Sequence, residues 1–145
     1  MDGGERRLMA KQSHAVRKHL AIAAGNPFEE DEQRWTFDWI RLNVPRCEAL
    51  KHAYSTLNGI RLRPSQLNNA KAQGHREGVL DIVIPGRSYG GEFCGLYIEL
   101  KRLKGGKTSR EQLEEIAWLR SQGYCADVRK GHDSAIALIK EYFQI

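Results

Sequence analysis

Two short stretches, VLDIVI at 79–84 and FCGLYIELK at 93–101, decide the fold. Both are rich in β-branched and aromatic residues, which is typical of strands. Side chains alternate along a strand, so Ile98 and Leu100 face one way while Glu99 and Lys101 face the other. Asp81, in the first stretch, adds a second carboxylate to the predicted polar patch. Two neighbouring carboxylates repel each other unless a cation lies between them, and hard oxygen ligands suit Mg²⁺.

The composition is that of one ordinary domain. The chain has 145 residues, 41% of them hydrophobic and 28% charged, and a net charge of +5. No apolar run approaches the roughly 20 residues that cross a bilayer, so no membrane association is expected. The three cysteines show no paired spacing and are interpreted as reduced thiols of a cytoplasmic protein.

The positive charge is concentrated near the N-terminus and favours a polyanionic partner such as DNA. Residues 1–25 contain five Lys or Arg against two acids, and residues 5–24 have a helical pattern. We therefore divide the chain into a basic helical extension, 1–26, and a main domain, 27–145. The extension is either a solvated helix, a DNA-binding arm or a dimer contact. Its candidate DNA-binding residues are Arg6, Arg7, Lys11, Arg17 and Lys18.

A second helix is predicted over 28–42, with an apolar stripe that also carries Glu32. A carboxylate on an apolar face needs a partner. Glu32 lies either at the edge of the stripe, helping to start the helix, or faces the acidic patch as a metal or water ligand. We favour the second interpretation.

The remaining elements follow from turn and capping signals. We expect a short strand near 50–56, a turn at Asn58-Gly59, and a helix between Pro64 and Gly74. Ser109 and Gln112 form a capping-box pattern that opens a further helix, which Gly123 ends. A strand at 125–129 and a last helix, capped by Asp133 and ending near Tyr142, complete an α/β sandwich.

The motifs from Gly78 to Tyr124 resemble the virus-type replication-repair nuclease (VRR-NUC) family, a branch of the PD-(D/E)xK fold. The similar residues are Gly78-x-x-Asp81, Gly95-Leu96-Tyr97-Ile98-Glu99-Leu100-Lys101-Arg102, Gly105-Gly106-Lys107-x-Ser109-x-x-Gln112 and Gly123-Tyr124. The resemblance implies a restriction-endonuclease-like αβββαβ core, with a small mixed sheet between helices. It implies a stand-alone, phage-type member that acts in the host cytoplasm. The chain departs from the pattern at Leu80, where the family usually has proline, and we expect altered local geometry with retained chemistry.

The resemblance also implies roles for individual residues. Asp81, Glu99 and the main-chain carbonyl of Leu100 would hold Mg²⁺ or Mn²⁺, and Lys101 would orient or activate water. Glu32 matches the family's helical glutamate, and Gln112 matches a glutamine that positions the site. Basic residues of the glycine loop are candidates for phosphate contacts: Arg102, Lys104 and Lys107.

These roles predict a metal-dependent, structure-selective DNA endonuclease. The specific expectation is a homodimeric Holliday-junction resolvase acting in DNA repair, because a two-fold dimer matches a two-fold symmetric junction. A flap, nicking or single-strand nuclease is the alternative of the same class. A non-catalytic DNA-binding accessory protein on the same fold is the alternative of a different class.

Overall fold

The computed structural model describes residues 13–56 and 62–145. The helices are α1 (His14–Ala23), α2 (Glu29–Asn43), α3 (Pro64–Ala72), α4 (Arg110–Ser121) and α5 (His132–Phe143). The strands are β1 (Tyr54–Ser55), β2 (Ile82–Ile84), β3 (Leu96–Lys101) and β4 (Cys125–Lys130). Short 3-10 turns lie at Val44–Arg46, Glu48–His52 and Tyr89–Gly91. The turn predicted at Asn58-Gly59 and the candidate residues Arg6, Arg7 and Lys11 lie outside the described residues.

The four strands form one mixed sheet in the order β1-β2-β3-β4. β1 pairs with β2 and β2 pairs with β3 antiparallel, whereas β3 and β4 are parallel. A parallel pair needs a crossover connection, and α4 supplies it. This arrangement confirms the predicted restriction-endonuclease-like class, a small mixed sheet flanked by helices.

Helices cover both faces of the sheet, and β3 contributes to both cores. Ile98 and Leu100 belong to the larger cluster, which the sheet forms with α2 and α5. Tyr97 packs on the opposite face against a smaller cluster that includes Ile116 of α4. Glu99 and Lys101 share the parity of Tyr97 and therefore lie on the α4 face, as the alternation predicts.

The capping box that opens α4 is confirmed. The Gln112 backbone N–H donates to the Ser109 hydroxyl at 3.1 Å, and the Ser109 N–H donates to Gln112 Oε1 at 2.9 Å. Gly123 follows the helix with a φ of +88°, a conformation that glycine adopts without steric cost. The predicted sequence signals thus fix both ends of the element that lies over the polar face.

Two predicted elements differ from the structure. The strand expected near 50–56 is reduced to β1, because Leu50 belongs to the 3-10 turn Glu48–His52 and is buried in the core. The last helix begins at His132, so Asp133 lies within its first turn and does not cap it. The cap comes from elsewhere in the chain, since the Glu32 carboxylate accepts the hydrogen bond of the His132 backbone N–H.

No helix within residues 13–56 and 62–145 has the length and apolar character needed to cross a bilayer.

Candidate active site

The pairing of β2 with β3 brings Asp81 and Glu99 together. Ile82 pairs with Ile98, so continuing this antiparallel register by one residue sets Asp81 opposite Glu99. Asp81 Oδ2 accepts a hydrogen bond from the Leu100 backbone N–H at 2.8 Å. Both acids are buried, with Asp81 9% and Glu99 1% exposed. The predicted pair of carboxylates therefore exists at the beginning of β2.

Lys101 and Gln112 complete a hydrogen-bonded cluster with Glu99. The Lys101 ammonium lies 2.7 Å from Glu99 Oε1 and donates to Gln112 Oε1 at 3.3 Å. Gln112 Nε2 donates to the same Glu99 oxygen at 2.6 Å. Because Ser109 fixes Gln112 through the capping box, the start of α4 also orients the cluster. The alternation of side chains predicted that Glu99 and Lys101 share a face, and in the structure they form a direct ion pair.

The environment raises the pKa of both carboxyl groups. Burial is the largest cause for Asp81, followed by the charge of Glu99, and together they raise its pKa to about 7. The Leu100 N–H and the charge of Lys101 oppose that shift. Burial likewise raises the pKa of Glu99, against the hydrogen bond and charge of Lys101. Folding therefore holds two acids where their charged forms are disfavoured.

One oxygen of this cluster has no fixed donor within residues 13–56 and 62–145. Glu99 Oε1 accepts from Lys101 and Gln112, whereas Glu99 Oε2 is buried with only the Asp81 carboxyl group beside it. A buried carboxylate oxygen without a partner is costly unless a cation compensates it. Asp81, Glu99 and the Leu100 carbonyl are hard oxygen donors, and the N–H and C=O of a strand residue point to the same side, here toward Asp81. These groups fit a divalent cation such as Mg²⁺.

Protein side chains supply only part of such a coordination shell. Among the described residues, no group of three or more His, Cys, Asp or Glu side chains converges well enough to hold a metal. Mg²⁺ is commonly held by one or two carboxylates and keeps several waters, so two acids are sufficient for this ion. The same set does not suit zinc, which prefers nitrogen and sulfur ligands.

The structure places Glu32 away from this cluster. Its carboxylate is 1% exposed and contacts the beginning of α5, where Oε2 lies 2.6 Å from His132 Nδ1 and accepts from the His132 backbone N–H. A carboxylate at a helix N-terminus is stabilised by the unpaired N–H groups and the helix dipole. The contacts of Glu32 in this structure are therefore with His132, and its role as a metal or water ligand stays a prediction. Glu32 does help to start a helix, but that helix is α5.

Glu29, which the sequence analysis missed, lies nearer to the site. Its charge raises the pKa of both Asp81 and Glu99, and it lines the same open groove as Asp81. Glu29 and Glu32 are one turn apart on α2, so the apolar stripe alone could not distinguish them. A carboxylate at position 29 is therefore the acid of α2 that acts electrostatically on the site.

The basic residues of the glycine loop have different environments. Arg102 donates to the carbonyls of Asn26 and Pro27, at 2.6 and 3.0 Å, and its guanidinium lies 5.0 Å from the centre of the Phe28 ring. It therefore attaches the loop to the start of α2. Lys104 and Lys107 are exposed. Contacts between these three residues and DNA remain predictions.

Glycine and leucine residues of the motif serve the packing around the site. Gly78 has a φ of +86°, and a Cβ there would lie 2.9 Å from the Glu111 Cβ. Leu80, at the position of the family proline, is buried against the α4 cluster, and its carbonyl accepts from the Thr56 hydroxyl at 2.8 Å. Side-chain packing therefore supports the backbone before Asp81.

Comparison with known proteins gives one kind of match. No protein-family model matches the sequence, and no curated protein matches it. A solved structure described as a "VRR_NUC domain protein" is similar, with a TM-score of 0.66 and 25% sequence identity. The similarity covers 80% of this chain and 88% of that one. The motif residues, their convergence around Glu99 and this similarity confirm the resemblance of the chain to the virus-type replication-repair nuclease family.

Proposed function

We propose that this protein is a metal-dependent endonuclease that hydrolyses DNA phosphodiester bonds at the Asp81–Glu99 site. The observation that carries the proposal is the partnerless Glu99 Oε2 beside a second buried carboxylate and a lysine. Phosphodiesters repel nucleophiles through their own charge, so their hydrolysis requires concentrated positive charge and an oriented water. The similarity to a VRR_NUC domain supports the same reaction class.

Asp81, Glu99 and the Leu100 carbonyl would hold the ion, Mg²⁺ or Mn²⁺. When bound, a divalent cation acts as a Lewis acid and lowers the pKa of a coordinated water. Asp81 is kept in place by the Leu100 N–H, and Glu99 by Lys101 and Gln112. These hydrogen bonds fix the direction of the carboxylates before any ligand arrives, which reduces the reorganisation needed for the reaction.

Lys101 has two roles in this proposal. Lys101 is 7% exposed and its ammonium lies 2.7 Å from Glu99 Oε1, so it retains its position inside the protein. From there it can donate a hydrogen bond to the attacking water and offset the negative charge that develops on the phosphorus oxygens. Contributions of this kind are typically about 10²–10⁴-fold in rate. Gln112 is a positioning residue, because it contacts Glu99 and Lys101.

Glu29 is the acid of α2 that we place beside the site. Its carboxylate increases the negative potential at Asp81 and Glu99, which favours a cation there. Glu29→Gln is therefore expected to weaken Mg²⁺ binding, with a smaller effect than the loss of Asp81 or Glu99.

For the substrate we propose branched DNA, most specifically the four-way junction, cut by a homodimer. The support is the family resemblance together with symmetry, because two active sites related by a two-fold axis can cut a pair of strands. A flap, nicking or single-strand nuclease would use the same site and differ only in the surfaces that select DNA shape. A non-catalytic DNA-binding protein would gain little from an anionic pair facing phosphates.

The test is a cleavage assay in Mg²⁺ and Mn²⁺ with junction, flap, nicked, duplex and single-stranded DNA at equal concentration. The resolvase proposal predicts paired symmetric incisions confined to the junction, whereas preferential cutting of another DNA would select that alternative. Asp81→Asn, which keeps the hydrogen-bond acceptor for Leu100, should abolish cleavage of every substrate. Binding without turnover in either metal would favour the accessory protein.

A further inference from the structure

An open groove of about 1490 Å³ is lined by residues of α1, α2 and the 3-10 turn Glu48–His52, together with Asp81. Its walls carry basic side chains from three separate segments of the chain: Arg17 of α1, Arg34 of α2 and Lys51 of the turn. All three are exposed. Segments far apart in sequence thus bring cations to one concave surface that includes a catalytic candidate.

Three cations of the groove have no acidic partner in the part of the chain that the structure describes. Within residues 13–56 and 62–145, Arg17, Arg34 and Lys51 form neither an ion pair nor a side-chain hydrogen bond. Other basic residues that line the groove have partners, since Arg41 pairs with Asp38 at 2.9 Å and Arg102 donates to the carbonyls of Asn26 and Pro27. The groove therefore has positive charge available for a partner.

The unpaired acids of the groove belong to the active site. Of the described acids that line the groove, Asp81 and Glu29 have no ion pair, and Glu29 acts electrostatically on Asp81. A metal ion would neutralise these acids, while Arg17, Arg34 and Lys51 supply positive charge on the same surface. A polyanion with regularly spaced charges matches such an arrangement, because one of its charges can lie at the metal site and its neighbours at the cations.

α1 is attached to α2 in a way that places Arg17 on the groove wall. Lys18 lies 2.9 Å from Asp31 Oδ1, and Asp31 is 4% exposed. His14 adds its contact with Glu30 and a ring contact with Phe28, whose centroid lies 5.8 Å away. A partly buried ion pair depends on good geometry, so this attachment fixes the helix more firmly than an exposed pair would.

We propose that a DNA strand enters the active site through this groove, with Arg17, Arg34 and Lys51 contacting successive backbone phosphates beside the scissile one. The inference rests on the proposed nuclease function, and it assigns the binding surface to α1, α2 and the 3-10 turn. Phosphate contacts release condensed counterions, so each one contributes about 0.9 to the slope of log K against log salt for duplex DNA.

The experiment compares two double variants with the same change in charge. Arg34→Gln/Lys51→Gln removes groove cations. Arg87→Gln/Lys140→Gln removes two exposed cations beyond the opposite end of β2 and late in α5. Affinity for a fluorescein-labelled four-way junction and for a linear duplex of matched sequence is measured in EDTA over a range of salt concentrations. Cleavage by the unmodified protein is measured separately in Mg²⁺.

The groove variant should bind about 10-fold more weakly at moderate salt and lose about 2 units of salt slope, while the control variant remains close to wild type. Arg17→Gln alone should lose about 1 unit. All substituted side chains are exposed, and equal melting temperatures would show intact folding; the single variants Arg34→Gln and Lys51→Gln replace the double variant if it does not fold.

Equal affinities and slopes for the groove and control variants would overturn the inference and leave the nuclease proposal standing. DNA binding that depends on the groove, without cleavage by the wild type in Mg²⁺ or Mn²⁺, would support the inference and overturn the nuclease proposal. Failure of the wild type to bind either DNA in EDTA would overturn the inference, and failure also to cleave DNA in Mg²⁺ or Mn²⁺ would overturn both.

Discussion

Glu99 and Glu32 are equally buried, each 1% exposed, yet they have opposite surroundings. Glu32 meets the N-terminus of α5 and the His132 ring, which are suitable donors for a carboxylate. Glu99 directs one oxygen to Lys101 and Gln112 and leaves the other without a partner beside Asp81. A buried glutamate thus stabilises the folded state at position 32 and destabilises it at position 99.

The difference teaches how to separate a structural acid from a functional one. Burial alone does not distinguish them, because both side chains are inaccessible. A missing donor alone is not sufficient, because Asp31 Oδ2 is also buried without one among the described residues. What distinguishes Glu99 is the second buried carboxylate beside it, and the two together favour a cation that the protein does not itself supply.

The largest difference between the Glu99 and Glu32 variants is expected in the rate of DNA cleavage. Glu99→Gln should abolish detectable cleavage, because it removes a charge from the metal site, while preserving an acceptor for Lys101 and Gln112. Glu32→Gln should cleave close to wild type under conditions where it is folded. Initial rates on the preferred DNA in Mg²⁺ measure both, and similar losses in the two variants would erase the distinction between them.

Lys101→Ala tests the residue whose positive charge partly compensates the negative charges of Asp81 and Glu99. It should lower the cleavage rate by about 10²–10⁴-fold, because it removes the proposed hydrogen bond to water and the positive charge. It should also move the pH at which cleavage begins upward, since Lys101 opposes the raised pKa of Asp81 and Glu99. If the rate falls but the pH profile of cleavage does not shift, Lys101 does not act on the pKa of Asp81 and Glu99, and its role is limited to contact with the substrate.

Glu32 should matter most for stability. Glu32→Ala removes the carboxylate that caps α5 and is expected to cost about 1.5–3 kcal/mol in the free energy of unfolding. Glu32→Gln, which retains an acceptor for the His132 N–H, should cost less. Urea unfolding in EDTA measures both, and wild-type stability of Glu32→Ala would show that the contact is not needed for the cap.

The smallest expected effect is on the pH dependence of the free energy of unfolding. The pKa of Asp81 is about 7 in the folded protein against an ordinary value of 3.8, so the folded state binds more protons between these values. The contribution of this group is therefore fully present below about pH 4 and is lost as the pH rises through 7. In EDTA at pH 8, Asp81→Asn should be more stable than wild type by about 1–3 kcal/mol, and the wild type should recover with Mg²⁺.

A difference of the opposite sign at pH 8, with Asp81→Asn less stable than wild type in EDTA, would contradict the proposed repulsion. The same urea titrations at pH 5 are the internal control, because there Asp81 is largely protonated and the two proteins should differ less.

The sequence predicted those features that depend on neighbours along the chain. The alternation of β3 placed Ile98 in the core and Glu99 on the polar face, and the capping box fixed the start of α4. Both signals act within a few residues, where periodicity and backbone hydrogen bonding are decisive. The Glu99-Leu100-Lys101 motif could be recognised for the same reason, whereas Asp81, in the preceding predicted strand, was joined to it by the resemblance to the nuclease family.

Features that depend on distant partners could not be predicted. The cap of α5 is Glu32, 100 residues before His132, so the nearby Asp133 was the wrong choice. Glu29 could not be singled out from the sequence because one helical turn separates it from Glu32, and only the packing of α2 decides which acid lies nearer to Asp81. The contacts of Arg102 also depend on distant partners, because its guanidinium donates to the carbonyls of Asn26 and Pro27. The sequence alone therefore could not show that these donors are occupied within the protein.

Binding of Mn²⁺, followed by electron paramagnetic resonance at pH 8, tests the central claim most directly. The account predicts one class of site in the wild type, retained in Glu32→Gln and lost in Asp81→Asn and Glu99→Gln. Undiminished Mn²⁺ binding by both Asp81→Asn and Glu99→Gln would contradict a metal site formed by Asp81 and Glu99, whereas its loss in Glu32→Gln with an intact fold would add Glu32 to the ligands.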